Sequence, residues 1–150
     1  MNQDKIMKRR MITAIVLLIV TLIALVIFIA LFVDESRRIQ ETYRRQYTTE
    51  LRHVNEEIGI YLKSEGDLDF HYTRVLVYMA NAGSYAFLID NFTDKQIVVN
   101  EVSTALIKYP EQMKPKLQEL QTAVTDILAD LDKGYDELKT LFESINLKGN

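Results

Sequence analysis

The chain of 150 residues has no cysteine and no tryptophan, and its five glycines stand singly. Without cysteine there is no disulfide, no thiolate-ligated zinc, no thiol nucleophile and no lipid attachment behind an exported leader. It does not fix the compartment, because many exported bacterial proteins also lack cysteine. Isolated glycines cannot assemble a phosphate cradle, and neither an HExxH sequence nor a Ser/His/Asp arrangement is present. An enzyme is therefore not expected, and no residue is assigned a catalytic, cofactor-binding or metal-binding role. No cofactor is expected either.

Charge is missing from one stretch altogether. Between Arg10 and Asp34 no residue is ionisable as Asp, Glu, Lys or Arg, and Ile12 to Val33 is apolar apart from Thr13 and Thr21. As a helix these twenty-two residues would measure about 33 Å, against a hydrocarbon core of about 30 Å. The run is apolar on every face, and the polar remainder is too small to surround it. Each threonine hydroxyl can bond back to a carbonyl of the preceding turn. The sequence thus predicts a transmembrane helix over 12–33. A cleaved signal peptide fits poorly: its apolar region spans roughly 7–15 residues, and Ala30-Leu-Phe-Val-Asp34 has no small-x-small site. An uncleaved signal anchor fits better.

Positive charge flanks the run on both sides. Lys5, Lys8, Arg9 and Arg10 precede it, and Arg37, Arg38, Arg44 and Arg45 follow, so the flanks tie. Two points break the tie. Arg9 and Arg10 lie close to the apolar run, whereas Asp34 and Glu35 separate Val33 from the arginines. A short basic leader is also easily retained while a longer chain is translocated. The expected layout is a cytoplasmic leader 1–11, a membrane helix 12–33 and an extracytoplasmic domain 34–150.

Residues 1–33 carry four bases and one acid, net +3; the rest carries 14 bases and 20 acids, net −6. An acidic domain makes nucleic acid an unexpected partner, since phosphate binding needs concentrated positive charge. The basic leader suits anionic lipid headgroups. Asn91-Phe92-Thr93 matches a glycosylation sequon, which matters only in a eukaryotic secretory pathway and is read as chance.

Beyond the membrane run the pattern is helical. Ile39, Tyr43, Tyr47, Leu51, Val54, Ile58 and Tyr61 recur every three or four residues, and no Pro or Gly intervenes between Val33 and Gly59. The first helix is expected to continue without a break until Ser64-Glu65-Gly66-Asp67 supplies a turn. Leu68, Tyr72, Val75, Met79, Ala82, Ala86 and Ile89 form the next stripe. Ala80, Ala82, Gly83, Ser84 and Ala86 crowd its middle, which predicts a close helix crossing rather than a ligand cavity. Thr93 and Gln96 have capping-box spacing. The β-branched residues of 97–102 would suit a strand, and a hairpin with residues 85–89 is the alternative. Helical spacing of Val98, Val102, Ala105 and Tyr109 favours a helix, closed by Tyr109-Pro110.

The last segment has Leu117, Leu120, Val124, Ile127, Leu131, Gly134, Leu138, Leu141 and Ile145 in heptad alternation, broken only in kind by Gly134. Leu128, Tyr135 and Phe142 widen that stripe beyond a two-stranded coiled-coil seam. One helix over 117–145 is expected. The fold expected is all-α: one N-terminal transmembrane helix continuing into an antiparallel bundle of about four helices.

Histidine is the remaining source of site chemistry. Glu50-x-x-His53, with Glu56 and Glu57 a turn on, has the spacing of di-iron bundles, but a second such motif is missing, because Leu68 stands three before His71. A solvated helix face is the expected reading. Asp67 and His71, at i and i+4, are expected to pair at a helix start. Tyrosines such as Tyr43 and Tyr47 suit either an interface or a core.

No family motif is present. In layout only, the chain is similar to the extracytoplasmic four-helix sensor modules of bacterial chemoreceptors and sensor kinases. It departs from them after Ile145, where neither a second membrane helix nor an output domain follows, so a separate partner would carry any signal inward. The expected function is a membrane-anchored scaffold or accessory subunit. Its expected partners are the lipid bilayer and either another protein or a second copy; no small-molecule ligand is specified. The alternative is a sensory module with a pocket near Gly83, lined by Tyr78 and Tyr85. A solid core with an exposed apolar stripe on 117–145 would favour the scaffold.

Overall fold

The structure, a computed structural model, describes residues 2–64 and 66–145. Helices and their connecting turns make up all of the described residues, and no strand forms among them. The β-branched run 97–102 is helical, as its spacing predicts. The chain divides into two compact units, one ending at Ile39 and one beginning at Gln40.

Helix α1 runs unbroken over Asn2–Leu62, so the expected continuation past the apolar run is observed. Thr13 and Thr21 donate to the carbonyls of Arg9 and Leu17, each at 2.9 Å, which removes their hydroxyls from the surface chemistry of the run. Every side chain from Ile12 to Val33 is exposed in this first unit. It is the one helix of the described residues long and apolar enough to cross a membrane.

The second unit starts with the lower half of α1, where Tyr47, Leu51, Val54 and Ile58 are wholly buried. Helix α1 ends at Leu62, and Ser64 (φ 56°) and Gly66 (φ 72°) reverse the chain through left-handed backbone. Glu65, in the middle of that expected turn, lies outside the described residues. Helix α2 (Leu68–Leu88) then runs back along α1: Tyr61 lies against Tyr72, His53 against Tyr78, Glu50 bonds Asn81, and Gln40 bonds Leu88. Its inward stripe is Tyr72, Val75, Met79, Ala82, Ala86 and the following Ile89; Leu68 itself stays exposed.

Helix α3 (Thr93–Lys108) returns antiparallel to α2 and packs against it. The small residues of α2 explain the approach: a Cβ on Gly83 would come within 2.4 Å of Asn100 Oδ1. Its buried face comprises Val99, Val102, Ala105 and Leu106, with Val98 and Tyr109 only partly covered. The expected capping box is absent. Phe92 is the N-cap, no side chain caps α3, and Gln96 donates its backbone N–H to the Phe92 carbonyl. Asn91 takes up the left-handed turn instead (φ 57°), which moves Thr93 one position inside the helix. Tyr109 ends α3 ahead of Pro110, as expected. A short helix α4 (Pro110–Met113) and a 3₁₀ turn (Lys114–Lys116) lead into α5 (Leu117–Ala129).

The expected single helix over 117–145 is two helices. Asp130 adopts extended backbone (φ −154°, ψ 116°), Gly134 is left-handed (φ 80°), and α6 (Tyr135–Glu143) folds back beside α5. Asp130 nucleates the turn: its carboxylate accepts the Asp132 N–H at 3.0 Å, and its carbonyl accepts the Lys133 N–H at 3.0 Å. Leu131 therefore sits half-buried in a turn, whereas Leu138 and Leu141 are buried on α6. The apolar stripe of 117–145 is consumed by the core, so no exposed stripe remains there.

Candidate functional site

Glu57 is the buried carboxylate of the described residues, 5% exposed on the packed side of α1. It lies three residues after Val54, the same face as Ile58, and α2 brings two donors to it. His71 Nδ1 approaches Glu57 Oε2 to 2.6 Å, and Arg74 Nε donates to Oε1 at 2.9 Å. Each carboxylate oxygen is thus engaged by a different residue of α2. Arg74 also donates to Tyr78 Oη at 2.6 Å, and its guanidinium lies 5.6 Å from the Phe70 ring centre and 5.4 Å from that of Tyr78. The bond to Tyr78, together with the Glu57 charge, raises Arg74 above its ordinary range.

Two residues of this region lie otherwise than their spacing predicts. The Asp67 carboxylate does not pair with the His71 ring, and the two residues meet only where the His71 backbone N–H donates to the Asp67 carbonyl at 3.1 Å. Asp67 is the N-cap of α2, accepting the Phe70 N–H at 3.1 Å, which leaves the His71 ring free to turn toward α1. Glu57 is not solvated helix surface either. Glu50 and His53 do stay partly exposed, Glu50 bonded to Asn81 and His53 stacked 4.9 Å from Tyr78. Among the described residues no group of three or more His, Cys, Asp or Glu is placed to hold a metal. The contacts of the Glu57 cluster form an electrostatic clasp between α1 and α2.

A second polar cluster joins α1, α3 and α6. Tyr47 and Tyr135 meet at their hydroxyls, 3.0 Å apart, and Phe92 stands edge-on to both rings. Burial drives the Tyr47 hydroxyl far above its ordinary pKa, with Tyr135 adding to the rise, and burial pushes Tyr135 up to about 12. Lys95 lies 5.0 Å from the Phe92 ring centre and 5.3 Å from that of Tyr135. Its ammonium bonds the Leu131 carbonyl at 3.0 Å and pairs with Asp132, so it ties α3 to the α5–α6 turn.

A cleft of about 830 Å³ opens next to this lysine. Asp94, Glu101, Asp126 and Asp136 line it together with Lys133 and Lys139, a mixed charged rim on an open surface. Asn100 fills the space against Gly83, and neither Tyr78 nor Tyr85 lines the cleft beside Lys95. Comparison with protein families, with curated proteins and with solved structures finds no match for this chain.

Proposed function

We propose that the chain is a membrane-anchored, non-enzymatic helical module that serves as scaffold or accessory subunit for another protein. Its leader 1–11 is cytoplasmic, residues 12–33 cross the bilayer as an uncleaved signal anchor, and residues 34–150 stand outside as a helical bundle. The bundle reading counts α1 from Gln40, α2, α3 and α5 as four members, with α6 folded back beside α3 and α5. The observation that carries the proposal is the surface of α1. Its side chains from Ile12 to Val33 are exposed on all sides, Phe32 at 67% and Phe28 at 66%, with no charge among them. Contiguous apolar surface of that extent on a soluble monomer is unstable in water, and a bilayer covers it.

Two features support a binding module over a ligand sensor. The α2–α3 crossing is closed at Gly83, and the buried carboxylate Glu57 is fully engaged by His71 and Arg74. The test is alkaline carbonate extraction of membranes from cells producing the full chain. The protein is expected to stay with the membrane, and deletion of residues 12–33 to release it. Extraction of the intact chain by carbonate would overturn the anchored reading.

A further inference from the structure

Helix α2 carries two apolar stripes, and only one is used by the core. The outward set is Phe70, Thr73, Val77, Ala80, Ser84 and Phe87, spaced three and four alternately, all exposed. Phe87 is 73% exposed, Phe70 53% and Val77 52%. A solvent-facing helix side ordinarily carries charge, as α6 does with Asp136, Glu137 and Lys139. On α2 no residue from Val75 to Leu88 is charged. The two hydroxyls of the stripe are already satisfied: Thr73 bonds the Asp69 carbonyl at 2.8 Å and Ser84 the Ala80 carbonyl at 3.1 Å. Covering the stripe would therefore strand no hydroxyl donor. Beside it α3 exposes Ile97, Asn100, Thr104 and Ile107, with Asn100 against Gly83 and the partly exposed Glu101 among them.

We infer that this face is the seam of a homodimer, with α2 packed in register and parallel against α2 of a second copy. The charges that border the stripe select this occupant and this direction. With Phe70, Val77 and Ser84 at a positions and Thr73, Ala80 and Phe87 at d, Asp69 falls at g and Arg74 at the following e. In a parallel pair that spacing sets Asp69 of each copy beside Arg74 of the other, opposite charges on both sides of the axis. In an antiparallel pair centred on the same stripe g flanks g and e flanks e, which sets Asp69 against Gly83 and Arg74 against Asn81 or Leu88, with no partner for either charge. Asp69 is free to serve, its side chain 90% exposed with only a 3.4 Å contact to Lys114. Glu57 and Tyr78 engage Arg74 through Nε and one terminal nitrogen, and a guanidinium has five donor hydrogens. Small Ala80 and Ser84 at mid-stripe let the two backbones approach.

The absence of cysteine from the chain makes the test direct. Single variants Thr73→Cys, Ala80→Cys and Thr122→Cys of the full chain are oxidised in membranes and run without reductant. A disulfide needs Cα atoms about 4.4–6.8 Å apart, which a d position in a parallel pair satisfies against its own copy. Thr73→Cys and Ala80→Cys are expected to give a dimer band, and Thr122→Cys, exposed on α5, to remain monomeric. Adding Val77→Glu to Thr73→Cys should reduce the dimer about tenfold or more, by burying like charges at the seam, with helix content by circular dichroism unchanged. Equal crosslinking at all three positions, or none at any, overturns the inference. So does a crosslink to a different protein. A disulfide between Phe70→Cys copies and Phe87→Cys copies, without homotypic product, overturns the parallel arrangement.

Discussion

The hydroxyls of Tyr47 on α1 and Tyr135 on α6 lie 3.0 Å apart in the core, although 88 residues separate them in the chain. Each hydroxyl is the other's buried partner, so the pair ties the first and last helices of the polar unit. Tyr135→Phe leaves the Tyr47 hydroxyl buried and unpaired, and should cost about 1–3 kcal/mol of unfolding free energy. Tyr47→Phe should cost a similar amount, and the double variant less than the sum of the two. Denaturant unfolding of the four proteins measures this cycle, and strict additivity would show that the hydroxyls do not interact.

The same burial makes the fold sensitive to alkali. Tyr135 and Tyr72 are both raised to about 12 by burial, from an ordinary value of 10.0. The folded state therefore holds protons that the unfolded state releases, and the stability they contribute is intact below pH 10 and falls as pH climbs toward 12. Melting temperature followed through that window should decline, and Tyr72→Phe should flatten the decline. An unchanged slope in that variant would contradict the assignment.

Glu57→Gln removes the charge that His71 and Arg74 share, in a side chain that is 7% exposed. It should lower the melting temperature clearly more than Glu56→Gln, whose side chain is 59% exposed. Equal effects at the two positions would show that the clasp contributes nothing.

The turn between α5 and α6 depends on Gly134. A Cβ there would lie 2.4 Å from the Ala123 carbonyl, and φ of 80° is unfavourable for other residues. Gly134→Ala should destabilise the fold by more than the about 0.4–1 kcal/mol that a tolerated glycine replacement alters. Leu138→Ala, at a wholly buried position, should cost about 2–5 kcal/mol, and half-buried Leu131→Ala less. Equal losses at Leu131 and Leu138 in thermal melts would favour a continuous helix through this region.

Much of this architecture is legible in apolar spacing alone. The stripes of α1 and α2 and the helical state of 97–102 follow from it, because burying one face selects a period. The α5–α6 turn does not, since a reversed helix can return to the same core and preserve a three-four count across the break. The signal there was chemical, Asp130, Asp132 and Gly134 within five residues. The clasp was hidden for another reason: Glu57 is polar, yet its position relative to Val54 and Ile58 puts it on the buried face. The outward stripe of α2 shows in the spacing once the inward stripe is assigned, because no residue from Val75 to Leu88 carries a charge.

An anchor at α1 with the polar portion outside the membrane leaves that portion open to added protease. Protease added to intact spheroplasts, followed with antibodies to the leader and to the C-terminal portion, measures this directly. Digestion of the residues after Val33, with the leader protected, is the expected result. Digestion of the C-terminal portion only after lysis would contradict this topology.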